Sequence, residues 1–213
     1  MFLVNQLTGF GAGGGALTTL ALQGSATLST AASITAPSDI NAGDLLLFLD
    51  RTFGTETSVI PSGFTELVAD TGLKLYLSFK VASGAEQSTT IGGMSGSAHS
   101  KIMACFRGNR PITAAMGASP LSEQSSGNPT GFAVTAGAGT PPLLVVAAYS
   151  VNPAGAVDPR TFSTTKDAET ASADSSLYLA WKFYASSPAN TTIDMDDEGT
   201  NNTLLGAYLT LSS

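Results

Sequence analysis

Cysteine, histidine and tryptophan each occur once in this chain of 213 residues, and only 12% of its residues are charged. The lone cysteine, Cys105, excludes an internal disulfide and a cysteine-based zinc site, and fits folding in a reducing cytoplasm. The lone histidine, His99, excludes a multi-histidine metal centre. Ordinary globular domains carry roughly 25% charge. Long exposed helices need Glu, Lys and Arg on their wet face, so the deficit argues against a mostly helical protein. No apolar run approaches the roughly 18 residues of a membrane-spanning helix. The opening residues, MFLVNQLTGF, carry no basic group ahead of their apolar ones and do not read as a secretory signal. Basic residues are also scarce, 9 against 16 acidic, for a net charge of -7. Nucleic-acid binding and adhesion to an anionic membrane both call for a basic surface, so neither is expected.

What the chain does have is 43% hydrophobic residues, 23 glycines and an abundance of Ser and Thr. Hydroxyl-rich wet faces suit strands. The chain also repeats itself. LYLSFKVASGAEQSTTI at 75–91 aligns with LYLAWKFYASSPANTTI at 177–193, and Phe79 falls on Trp181. Without a gap, Ile102–Phe106 then falls on Leu204–Tyr208, which sets Cys105, a small buried apolar residue in this reading, on Ala207. Upstream, Leu45–Phe48 meets Leu143–Val146, and Pro61 and Phe64 meet Pro159 and Phe162. Three blocks in the same order point to two related halves, 31–110 and 129–213, joined by a linker at 111–128.

In 74–81 and 177–184 apolar and polar positions alternate, the period of a strand with one buried face. The runs 45–49 and 143–148 are apolar throughout, as in strands covered on both faces. Gly, Pro, Ser, Asn and Asp fill the long gaps between them. The expected fold is all-β: a two-sheet antiparallel β-sandwich, jelly-roll-like, at 31–213, with Phe79 and Trp181 at its centre. Residues 1–30 carry no charge at all and are rich in glycine. They are expected to form an extended N-terminal arm that docks on another subunit, with Phe2, Leu3, Val4, Leu7 and Phe10 as anchors.

Motifs for chemistry are weak. Gly9–Gly14 matches G-x-G-x-x-G, but a dinucleotide site needs a strand before it and an acidic residue some 20 positions on. The first acid is Asp39. Asp194, Asp196 and Glu198 resemble the front of a calcium loop, but the twelfth position, where a bidentate Glu belongs, is Leu205. A solvated acidic turn is the better reading, with calcium as the minor one. His99 sits in the Gly/Ser-rich stretch GMSGSAHSK with no nucleophile-elbow pattern beside it, which suits a loop histidine in water. No enzymatic role, cofactor or resident metal is expected. Tyr76, Tyr178 and Tyr184 point outward in the strand phase and are the candidate aromatics for a sugar ligand.

Gly43-Asp44 before an apolar strand, Pro61-x-Gly63-Phe64, Tyr76-x-x-x-Lys80-Val81-Ala82 and Phe106-Arg107-Gly108 follow one another in order. This order resembles a group of tailed-bacteriophage minor virion proteins of tail, fibre or head surface. The second half departs from it, with Leu209-Thr210 in place of the Arg-Gly ending. The resemblance implies a sandwich used as a building block, usually a homo-oligomer, contacting other virion proteins and assembled in the bacterial cytoplasm. A host-surface glycan is the alternative partner. No catalytic residues come with the resemblance.

Overall fold

The computed structural model describes residues 16–24, 26–52, 60–70, 75–92, 99–117, 122–125, 133–134, 142–150, 167–171, 177–186, 191–192 and 203–213. Every regular element among them is a strand. The first eight are β1 (Leu20–Leu22), β2 (Thr27–Ser29), β3 (Ile34–Thr35), β4 (Leu45–Thr52), β5 (Thr65–Asp70), β6 (Leu75–Val81), β7 (Thr90–Ile91) and β8 (His99–Gly108). The second eight are β9 (Ala114–Gly117), β10 (Ser122–Ser125), β11 (Ala133–Val134), β12 (Leu143–Ser150), β13 (Ala168–Ala171), β14 (Leu177–Tyr184), β15 (Thr191–Thr192) and β16 (Thr203–Ser212).

One sheet runs β1-β8-β4-β6-β5, with β2 also on β8. The other runs β10-β16-β12-β14-β13, with β9 also on β16. The pairs β3-β7 and β11-β15 form two small ladders. In the second sheet β16, β12, β14 and β13 stand in the order of β8, β4, β6 and β5, with β9 and β10 along β16 as β1 and β2 are along β8. All strand pairs are antiparallel.

The two sheets bury one core between them. Leu45, Leu47 and Leu49 of β4 and Leu75, Leu77 and Phe79 of β6 share it with Leu144, Val146 and Ala148 of β12 and Leu177, Leu179 and Trp181 of β14. Phe106 meets Trp181 edge to face, ring centres 5.1 Å apart. Phe79 and Trp181 are both buried in this layer, as expected. A second core lies on the outer face of the first sheet. There Leu46, Phe48, Met103 and Cys105 pack under Ile34 and Ile91 of the β3-β7 ladder. This double cover explains why β4 is apolar at every position from 45 to 49.

Several expectations change. A jelly roll sends successive strands to alternate sheets, whereas β4, β5, β6 and β8 here share one sheet. Within the expected arm, β1 and β2 pair with β8, and Leu17 is 1% exposed in the core. Gly108 makes this possible, since a Cβ there would collide with the Leu17 side chain. Asn109 secures the segment: its Oδ1 accepts from the Thr18 and Thr19 amides at 2.9 and 3.2 Å. The anchors Phe2, Leu3, Val4, Leu7 and Phe10 lie outside the described residues. Within the expected linker, β9 and β10 pair with β16 and so belong to the second sheet. A stretch with few large apolar residues gives no alternation to read, yet the exposed flank of β16 still has backbone groups to pair.

Register also differs from the sequence alignment. Aligning Leu45 with Leu143 and Ile102 with Leu204 would turn Leu143 and Leu204 inward. The inward residues are instead Leu144, Val146 and Ala148, and Leu205, Ala207 and Leu209, each one position later. Only the 75–81 and 177–184 pairing keeps its phase. A shift of one residue exchanges the two faces of a strand.

Candidate functional site

Apart from Tyr76, the residues that carry the sequence pattern gather at one end of the first sheet, where they hold loops. Asp44 precedes β4 and is 2% exposed. Its carboxylate accepts from Arg107 Nε at 2.9 Å and Nη2 at 2.8 Å, a two-pronged pair, and from the Asn41 amide at 2.7 Å. Asp39 adds a second carboxylate to Arg107 at 3.1 Å. Hydrogen bonds donated to Asp44 and then to Asp39 raise the guanidinium above its ordinary value. Gly43 has φ +86°, and a Cβ there would lie 2.5 Å from the Pro111 ring and 2.9 Å from its backbone. The Gly-Asp and Arg-Gly pairs are therefore two sides of one latch. Cys105 sits below it, buried and unbridged, its Sγ 3.6 Å from Asp44. Burial, reinforced by the Asp44 carboxylate, pushes its thiol up to about 12.

A second latch closes the turn after β6. Lys80 Nζ lies 2.6 Å from Glu86 Oε1. The same carboxylate accepts from the Ser83 and Gly84 amides, both at 3.0 Å, and from the Ser83 hydroxyl. Thr89 Oγ1 donates to the Glu86 carbonyl at 2.7 Å. Ser88, next to it, has φ 54°, the one non-glycine residue with positive φ among the described residues. This turn and the turn at 61–64 face each other across a cleft of about 290 Å³. Phe64 and Ile91 supply its apolar wall, and Phe64 rests edge-on against Phe48 at 6.0 Å. Ser62, Lys80, Glu86 and Thr90 supply its polar groups.

Buried polar groups gather at the far end of β4. Asp50 and Lys101 are almost fully buried, 3.4 Å apart across the β4-β8 ladder, and Lys101 Nζ donates to the Ala31 carbonyl at 2.5 Å. On the inner face, Arg51 bridges the sheets by donating to Ser150 Oγ. In the second sheet Lys182, aligned with Lys80, pairs with Asp167 at 2.6 Å.

The tyrosines proposed as sugar contacts do not form one platform. Tyr76 lies in β6, opposite Asp50, and is half-buried. Tyr178 and Tyr184 lie in β14 of the other sheet, about 20 Å apart along the strand. Tyr178 is only 7% exposed, and the Lys182 ammonium sits 5.9 Å from the Tyr184 ring. His99 opens β8 opposite Thr52, so it belongs to a strand and not to a loop. The calcium candidates Asp194, Asp196 and Glu198 and the glycines of 9–14 lie outside the described residues. Among the described residues, no group of three or more His, Cys, Asp or Glu could hold a metal ion.

Sequence reasoning identified Phe64 and Lys80 as pattern residues but not as neighbours in a cleft. Ser62, Glu86 and Thr90 sit in turns or at the edge of a two-residue strand, where no periodicity marks them.

The fold and its latches define an all-β sandwich with a small cleft on the outer face of its first sheet. No family model, no curated protein and no solved structure matches the chain.

Proposed function

We propose that the chain is a non-enzymatic structural subunit of a tailed-bacteriophage virion, a decoration or appendage on the head or tail surface. In this reading the sandwich is an internal duplication closed face to face, and the residues ahead of Leu17 are the arm that grips a neighbouring subunit. It is made in the bacterial cytoplasm, incorporated into the virion, and associates with copies of itself and with other virion proteins. The supporting observation is the use made of scarce charge. Of nine basic residues, Lys80, Lys101, Arg107 and Lys182 each pair with a carboxylate that holds a loop or joins strands. Such pairing stiffens a building block.

The test is a deletion of residues 2–15, which stops short of Leu17 and β1. The purified variant should melt within a few degrees of the full chain, and particles assembled with it should lack the protein. Normal incorporation would defeat the reading.

The second reading is a carbohydrate-binding module for a host surface, with the same sandwich displayed on a fibre. The cleft beside Phe64 favours it, because sugar sites combine an apolar wall with a few placed hydrogen-bonding groups.

A further inference from the structure

We infer that the cleft between the 61–64 turn and residues 86–92 binds one neutral hexose ring, with Phe64 as its apolar wall and Lys80, Ser62 and Thr90 as its hydrogen-bonding groups. The inference rests on the second reading above and gives it a site other than the tyrosines.

Size comes first. About 290 Å³ lies at the small end of ligand clefts, which run from roughly 300 Å³ upward. That holds a single ring. Chemistry comes next. An ammonium carries three N–H donors, and among the described residues Glu86 is the carboxylate that Lys80 meets. The remaining donors belong to a side chain that lines the cleft. Ser62 and Thr90 are exposed and line the cleft, and each hydroxyl is able to donate and accept. A ring edged with hydroxyls finds partners in such a set, and its C–H face meets the half-buried Phe64 ring.

Charge selects against acidic sugars. The Lys80 cation is already matched by Glu86 at 2.6 Å, so an anion gains no unpaired positive charge. The chain's net charge of -7 repels it further. The wall is also preformed. Glu86 is tied to two backbone amides, a hydroxyl and Lys80, and Ser88 holds a backbone conformation that L-residues adopt reluctantly. A preformed wall lowers the ordering cost of binding.

The experiment titrates the full chain with glucose, galactose, mannose and N-acetylglucosamine, with glucuronic acid as the charged control, and reads amide chemical shifts and binding heats. The variant is Ser62→Ala with Thr90→Val, which removes two hydroxyls and leaves the Lys80–Glu86 latch intact. Its melting curve and Trp181 emission check the fold. The expected result is saturable binding of at least one neutral sugar, shifts confined to 61–64 and 86–92, and binding about tenfold weaker in the variant. Glucuronic acid should bind no tighter than glucose. A trisaccharide of the best ligand should bind within about threefold of the single sugar, since one ring fills the cleft. Much tighter trisaccharide binding, or a preference for glucuronic acid, would overturn the inference as stated. Unchanged affinity in the variant, or shifts elsewhere, would overturn the cleft and leave the carbohydrate reading standing. A chain that binds none of these sugars sinks both.

Discussion

Glu86 shows how one side chain can hold a surface turn and be read by titration. Burial alone would raise its carboxyl. The Lys80 ammonium, a backbone amide and Ser83 outweigh that and bring it from 4.5 to about 2. The unfolded chain therefore takes up this proton more readily than the folded one. The stabilisation from Glu86 is complete above pH about 4.5 and fades as pH falls toward about 2. Melting temperatures at pH 7 and pH 3 should differ less for Glu86→Gln than for the parent chain. Cys105 supplies a second residue-scale prediction. With its thiol pushed up to about 12 and its side chain 0% exposed, it should resist iodoacetamide at pH 8 in the folded protein. In denaturant it should react within minutes, as mass spectrometry can follow.

At the scale of elements, β8 carries the most varied duty. Its inner face gives Ile102, Ala104 and Phe106 to the core between the sheets. Its outer face gives Met103 and Cys105 to the second core, and Lys101 to Asp50. Burial pushes the Lys101 ammonium below its ordinary value, with Asp50 opposing. Such a pair need not stabilise the fold relative to an apolar substitute, but removing one of its partners is destabilising. Lys101→Met should cost about 3–5 kcal/mol in urea unfolding, the range for removing one partner of a buried ion pair. Adding Asp50→Asn to that variant should recover part of the loss. A double variant at least as unstable as Lys101→Met alone would show that the pair is not what the single change disturbs.

The whole molecule depends on two sheets that each supply the other's cover. The inner face of the first sheet presents Leu45, Leu47, Leu49, Leu75, Leu77, Phe79 and Phe106. The second presents an equally apolar face, and Arg51 joins the two through Ser150. A chain ending at residue 113 would expose that first face to water. It should bind the dye ANS strongly and melt without a cooperative transition. Co-expression with residues 114–213 should restore cooperativity and the blue emission of Trp181, which is 5% exposed in the intact protein.

Strand content and the orientation of β6 and β14 were legible in the amino-acid order. Leu75, Leu77 and Phe79, like Leu177, Leu179 and Trp181, occur at every second position with Tyr76, Ser78 and Lys80 or Tyr178, Ala180 and Lys182 between them. Polar partners on the alternate positions make the choice of buried face local. The phase of β12 and β16 was not legible. Leu143–Ala148 and Leu204–Leu209 offer hydrophobic residues on both faces, so matching identities between repeats carries no information about which side meets the other sheet. Only packing against the opposite layer decides that, since one residue of slip exchanges the faces at no change in composition. The latches and the cleft belong to the same class. Asp44 and Arg107 stand 63 positions apart, and Ser62 and Thr90 become neighbours only when the turn before β5 and the β7 edge reach the same outer face. Composition and alternation determined that this chain builds sheets. Long-range closure of the chain determined which side chains face each other, because hydrogen-bonded ladders and a shared core act between segments that local sequence cannot relate.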